Sequence, residues 1–239
     1  MDIQDLPKYE KIIITARIKN YDNVLNYSYS DITSKIIDLI ITKLKPKNIY
    51  VPSFNYDFLK SKYYDYTNSK SQIGRFSEEF RSNYSNNRNY DPVFSYTSLY
   101  SDKIKSEWCK VAFEKNSFFE NIESNNYLVI NIDLPYFTST LIHYLEKKHK
   151  VPYRFDKLFT GEVMSNNVKF NLNYSYYVRD INKKSIYLSD KIESLLKDKN
   201  ILKNSFIFNL KFDWYFSSDL INELSHKISK NSEYLIFND

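Results

Sequence analysis

The sequence predicts an α/β protein built on a largely parallel sheet, and three observations carry that expectation. Strand-like and helix-like periods alternate at the start of the chain. Apolar residues make up 42% of the 239, with 17 Phe and 23 Tyr, which is enough to bury a full core. No flexible linker breaks the pattern, so residues 1–239 are expected to form one domain, with a core over 10–161 and an α+β elaboration over 162–239 packed on it.

Lys11 to Ala16 is a short, β-branched apolar run and reads as a buried strand. Ser30 or Asp31 can cap a helix from Ile32 onward, with Ile36, Ile37, Ile40, Ile41 and Leu44 at helical spacing. Pro46 cannot continue it. Asn48 to Pro52 is a second strand, which completes β-α-β. An amphipathic stretch, Phe76 to Tyr84, follows Gly74, and Tyr127 to Ile132 is the clearest buried strand of the chain. Thr138 or Ser139 can cap a helix carrying Leu141, Ile142 and Leu145, whose basic end, Lys147 to Lys150, suits the C-terminal dipole. Beyond it, Val168 to Tyr174 alternates strictly, while Ser189 to Leu196 and Ser217 to Ile228 read as helices around a strand at Phe206 to Leu210.

Composition narrows the function. Lys and Arg number 34 against 29 Asp and Glu, a net charge of +5. The basic residues are dispersed, which argues against a nucleic-acid partner and is compatible with an anionic ligand such as CoA or a nucleotide-sugar. Cys109 is alone, so an internal disulfide framework and a cysteine-based zinc site are excluded. No signal-like start and no apolar run of spanning length occur, so a cytoplasmic protein with no membrane span is expected. The many aromatic residues leave material for a homo-oligomer interface.

Only two glycines occur, Gly74 and Gly161, and each is expected where φ is positive or a backbone approaches closely. No P-loop, dinucleotide fingerprint or nucleophile elbow is present. Three local constellations remain. Ser53 and Asn55 follow the second strand, at the strand end where open α/β sheets dock ligands, although an ordinary turn explains them too. Arg88 to Tyr96 holds an Asp91-Pro92 step and Ser95, a pattern that turn chemistry alone also accounts for. His143 and Glu146, three apart on a helix, share a face, so the carboxylate can orient the imidazole; a satisfied histidine on a helix flank is the plainer alternative.

In this order, these runs resemble the aminoglycoside 3-N-acetyltransferase family, above all its relatives in surface-polysaccharide sugar pathways. Pro52-Ser53-Phe54-Asn55 matches a Pro-Thr-Phe-Thr-like loop, and Ser71, Gly74, Glu78, Phe80 and Arg81 match a Ser-x-x-Gly-x-x-x-Glu-x-Phe-Arg segment. Arg88, Pro92 and Ser95 match an Arg-x-x-His-Pro-x-x-Ser segment; Thr140, His143 and Glu146 match Thr-x-x-His-x-x-Glu; and Val151 to Arg154 is intact. The resemblance implies a central mixed sheet flanked by helices, acetyl-CoA as donor and an amine as acceptor, with Ser71, Gly74 and Arg88 on the CoA side. One position departs: the histidine of the His-Pro step is Asp91 here.

A free aspartate, with a pKa of ~3.9, is a poor base near neutrality, whereas an imidazole at ~6.5 is suited to the task. His143 is therefore assigned as the base and Glu146 as its partner. Asp91 is assigned as acceptor for the substrate ammonium or a hydroxyl, and Ser95 as donor to the thioester oxygen or the departing thiol. An aminoglycoside is polycationic, so the basic chain favours a nucleotide-linked or polysaccharide-precursor amino sugar as acceptor. The alternative is a catalytically impaired relative that binds a sugar or CoA, or serves as an interaction protein.

Overall fold

The computed structural model describes residues 6–18, 29–84, 87–101, 107–114, 117–183, 186–207 and 209–237. Its centre is a seven-stranded mixed sheet. The middle of that sheet is parallel: β1 (Lys11–Ala16) lies between β2 (Asn48–Pro52) and β6 (Leu128–Ile132) and runs parallel to both. On one flank, β5 (Tyr96–Ser98) pairs antiparallel with β2, and β4 (Asn87–Arg88) with β5. On the other, β11 (Leu210–Phe216) is antiparallel to β6 and to β10 (Lys203–Ile207).

Both faces of the central strands are covered, which is why they read as continuous apolar runs rather than alternating ones. Ile12 and Ile14 point to one face, where they meet Ile36, Ile37 and Ile40 of α1 (Tyr29–Leu44) and Phe76 and Phe80 of α3 (Arg75–Asn83). Ile13, Tyr50 and Val129 point to the other, beneath α4 (Phe118–Asn125), α5 (Leu141–Lys148) and α7 (Ser217–Lys230). Each of these isoleucines is almost fully buried, which contributes about 1.5–3 kcal/mol per side chain. Helix α1 begins at Tyr29, so Ser30 and Asp31 lie in its first turn rather than at its cap. Left-handed Lys45 (φ 49°) closes the helix just ahead of Pro46. Helix α5 takes Thr140 as its N-cap position, not Thr138 or Ser139.

A three-stranded sheet packs alongside. Here β3 (Tyr63–Asp65), after the short α2 (Asp57–Ser61), runs parallel to β7 (Arg154–Ser165), and β7 forms a long hairpin with β8 (Val168–Arg179). The hairpin turns through Asn166 and Asn167 at φ 49° and 63°, the primed geometry that asparagine tolerates. A small pair, β9 (Ile186–Tyr187) and β12 (Ile236–Phe237), brackets α6 (Ser189–Asp198).

Residue 161 lies inside β7, and the chain beyond it supplies β10 and β11 to the main sheet. One expectation needs correction. The strand expected at Phe206 to Leu210 is the bend of a hairpin, with Ile207 opposite Leu210 and Asn209 at φ 60°; an apolar run on both sides of the turn hid the break. No helix among the described residues is long and apolar enough to cross a membrane.

Candidate active site

The carboxyl ends of the parallel strands open into a cavity of about 310 Å³. Thr15 and Arg17 line it from the end of β1, Pro52 and Phe54 from β2 and its loop, and Asn131 from β6. The approach to α5 adds Thr138, Ser139 and Thr140, and the helix itself adds His143. Aromatic walls come from Tyr56, Phe94, Tyr96, Tyr176 and Tyr215. The Tyr215 hydroxyl donates to Ser139 Oγ at 2.8 Å, which ties β11 to the α5 entry. No Asp or Glu is among the described lining residues.

His143 is half-buried beside this space, and behind it Glu146 is 1% exposed with Oε2 2.7 Å from His143 Nδ1. Burial alone would raise the Glu146 carboxyl, but the hydrogen bond and charge of His143, with the charge of Arg154, outweigh it and hold the group below its ordinary value. Arg154, at the start of β7, brings Nε within 2.8 Å of Glu146 Oε2 and Nη2 within 3.1 Å of His143 Nδ1. Phe113, in the left-handed region at φ 66°, lays its ring 6.3 Å from the imidazole and backs it from the protein side.

The other expected site residues lie elsewhere. Ser53 and Asn55 are buried and face away, while their neighbours Pro52, Phe54 and Tyr56 line the cavity; in an extended segment consecutive side chains point to opposite faces. The same alternation turns Ser95 inward between cavity-facing Phe94 and Tyr96. Arg88 is buried too. Its guanidinium donates to Ser95 Oγ at 2.7 Å and to the carbonyls of Ser69 and Ser53, and it stacks over Tyr64. Desolvation lowers its pKa. Arg88, Ser53 and Ser95 therefore latch three loops together and are not among the residues that line the cavity.

Asp91 does not join His143 and Glu146 in the cavity wall. Its Oδ1 accepts from the backbone N–H of Val93 at 2.9 Å and of Phe94 at 2.8 Å, and from the Tyr174 hydroxyl at 3.0 Å. Complete burial pushes its carboxyl up, against those hydrogen bonds. It is an Asx-turn that aims Phe94 at the cavity, and the role of ammonium acceptor has no support in its position. Ser71 and Gly74 flank cavity-lining Ile73 without lining the space themselves. The Ser71 N–H donates to Glu78 Oε2 at 2.7 Å, and Gly74, at φ 137°, begins α3 3.6 Å from the Ala16 carbonyl, measured from where a Cβ would stand.

Sequence reasoning missed Arg154, Tyr176 and the aromatic wall. Arg154 had a signal, since it ends the intact Val151-Pro152-Tyr153-Arg154 run. Tyr176 had a weak one, as the first residue of a Tyr176-Tyr177-Val178-Arg179-Asp180 run that loosely resembles the family, but among 23 tyrosines spread along the chain nothing marked those that face the cavity.

The fold is shared with solved structures that include aminoglycoside acetyltransferases. Aminoglycoside acetyltransferase AAC(3)-Xa superposes with a TM-score of 0.75 at 14% identity, over 96% of this chain and 88% of the other. AAC-IIIb in its binary complex with CoASH gives 0.74 at 13% identity, over 95% and 92%. The YokD protein from Bacillus subtilis gives 0.71 at 12% identity, over 95% and 94%. No curated protein matches the chain by sequence. The model of the aminoglycoside 3-N-acetyltransferase family does match, over residues 42–227, and so the chain belongs to that family of N-acetyltransferases.

Proposed function

We propose that the chain transfers the acetyl group of acetyl-CoA to the amine of an amino sugar that carries little positive charge, such as a nucleotide-linked or polysaccharide-precursor sugar. His143 is the base and Glu146 its partner. The observation that carries this reading is the 2.7 Å His143–Glu146 pair on the wall of a cavity whose described lining holds no carboxylate. A polycation entering such a space would leave its ammonium groups without counter-charge, at a cost that burial makes large.

The chemistry follows from proton balance. An ammonium must first be neutral; the amine then attacks the thioester carbonyl while losing a proton to His143 Nε2, and the carbonyl oxygen becomes an oxyanion that hydroxyls near the α5 entry can stabilise. Collapse expels the thiolate, which takes the proton back from the imidazolium. The products are an amide and free CoASH, and the imidazole returns neutral.

A second reading, an aminoglycoside acceptor, is favoured by the family description and by neighbours solved with a gentamicin and with sisomicin. Thiol release from acetyl-CoA with a panel of amino sugars, nucleotide-linked amino sugars and aminoglycosides separates the two. The highest kcat/KM is expected with a sugar bearing a single amine; a preference for gentamicin or sisomicin sinks the charge argument. In either case His143→Ala is expected to lower kcat about 10²–10⁴-fold with little change in KM, and near-normal turnover in that variant would remove His143 as base.

A further inference from the structure

The contacts of Arg154 raise a question that the His143–Glu146 pair alone leaves open. A buried carboxylate with no other counter-charge stabilises an adjacent imidazole as imidazolium, and an imidazolium cannot accept a proton. We propose that Arg154 is the positioning residue that neutralises Glu146, so that His143 rests as a neutral ring with its Nδ1–H on the carboxylate and its Nε2 lone pair free toward the cavity.

The shorter of the two contacts to Nδ1, the one from Glu146, favours this tautomer. Glu146 Oε2 and His143 Nδ1 are 2.7 Å apart, a distance at which two lone pairs repel, so a proton stands between them. The Arg154 charge beside it favours the ionised Glu146 whatever the state of the ring, so the proton belongs to Nδ1. In this tautomer Nδ1 has no lone pair to offer Arg154 Nη2, 3.1 Å away, so the guanidinium acts on the ring through its charge and not through a hydrogen bond. A second positive charge there is repelled, which favours the neutral ring. The guanidinium is itself fixed: its side chain is 11% exposed, Nη1 donates to the Tyr177 carbonyl at 3.2 Å, and Nε stands 2.8 Å from Glu146 Oε2.

Other titratable groups around the trio do not compete. The phenols of Tyr153, Tyr176, Tyr177 and Tyr187, from the β7 entry, β8 and β9, all have raised pKa values and stay neutral through the working range. Lys147, on α5 itself, is engaged with Asp156 and Glu114 at 2.6 and 3.0 Å. Glu146, His143 and Arg154 therefore set the charge at this place.

The inference rests on His143 being the base, and the test separates the two. In pH profiles of kcat/KM, Arg154→Met is expected to move the acid limb up by about one unit or more, a tenfold loss per unit on the acid side that recovers as pH rises. Arg154→Lys, which keeps the charge, is expected to return the limb toward its native position. An Arg154→Met enzyme equally slow at every pH, with its limb unmoved, would overturn the inference and leave the base assignment standing, provided that His143→Gln is inactive. An active His143→Gln enzyme would overturn both. Should Arg154→Met not fold, the ¹⁵N shifts of the His143 imidazole in the native enzyme decide: a neutral ring protonated at Nδ1 is expected near neutrality, and an imidazolium or an Nε2-protonated ring overturns the inference.

Discussion

Asp91 shows how a side chain's chemistry depends on which groups reach it first. Its residue type and place in the motif order suggest an acid at a reacting centre, yet its Oδ1 is occupied by two backbone N–H groups and a tyrosine hydroxyl, its Oδ2 is buried without a hydrogen-bond partner, and it is 1% exposed. The consequence is testable with two variants. Asn in place of Asp91 keeps the carbonyl oxygen that both N–H groups need, so Asp91→Asn is expected to retain kcat within a few-fold. Asp91→Ala leaves those donors unpaired and is expected to cost about 1–3 kcal/mol of stability in urea titrations. An Asn variant that folds normally but does not turn over would return Asp91 to the chemistry. His143 is the opposite case: Glu146 and Arg154 converge on its Nδ1 side, and its other nitrogen is left for the cavity.

At the scale of elements, the scarcity of glycine is offset by residues that accept a left-handed backbone. Asn126, Asn166, Asn167, Asn200 and Asn209 all have positive φ, as do Lys45, Lys62 and Lys150. The two glycines that remain meet two different demands. Gly74 needs φ 137°, which side chains rarely adopt, at the start of α3. Gly161 lies in β7, where an added Cβ would stand 2.7 Å from the Lys62 carbonyl oxygen and 2.9 Å from Phe58. That oxygen also accepts the Glu162 N–H at 2.8 Å, so it cannot simply move aside. Gly161→Ala is therefore expected to destabilise by roughly 1–3 kcal/mol through displacement of β3 from β7, read as a lower midpoint in urea; an unchanged midpoint would show that the approach relaxes freely.

At the scale of the whole molecule, charge is spread thinly, and among the described residues that line the cavity Arg17 is an exposed cation. If the acceptor is an anionic sugar, raising ionic strength should lower its kcat/KM more than that of an uncharged amino sugar, because the Debye length shrinks from roughly 30 Å at 0.01 M to about 8 Å at 0.15 M. Acetyl-CoA is common to both assays and drops out of the comparison. Arg17→Gln should remove most of the difference, and equal salt dependence for both acceptors would mean that charge does not select them.

Periodicity and local chemistry determined much by themselves. The strands at Lys11 to Ala16 and Asn48 to Pro52 begin and end where the apolar runs do, and the His143–Glu146 pair follows from three-residue spacing on one helix turn, since both signals are contained within a few bonded neighbours. What faces the cavity was decided only by tertiary structure. Ser53, Asn55 and Ser95 carry the polar groups, but sheet geometry turns them inward and presents Phe54, Tyr56, Phe94 and Tyr96 instead. Arg154 reaches Glu146 only because β7 starts beside α5. Side-chain direction in an extended segment alternates with every residue, so it is fixed by how the strand sits in the sheet, and that depends on partner strands tens of residues away.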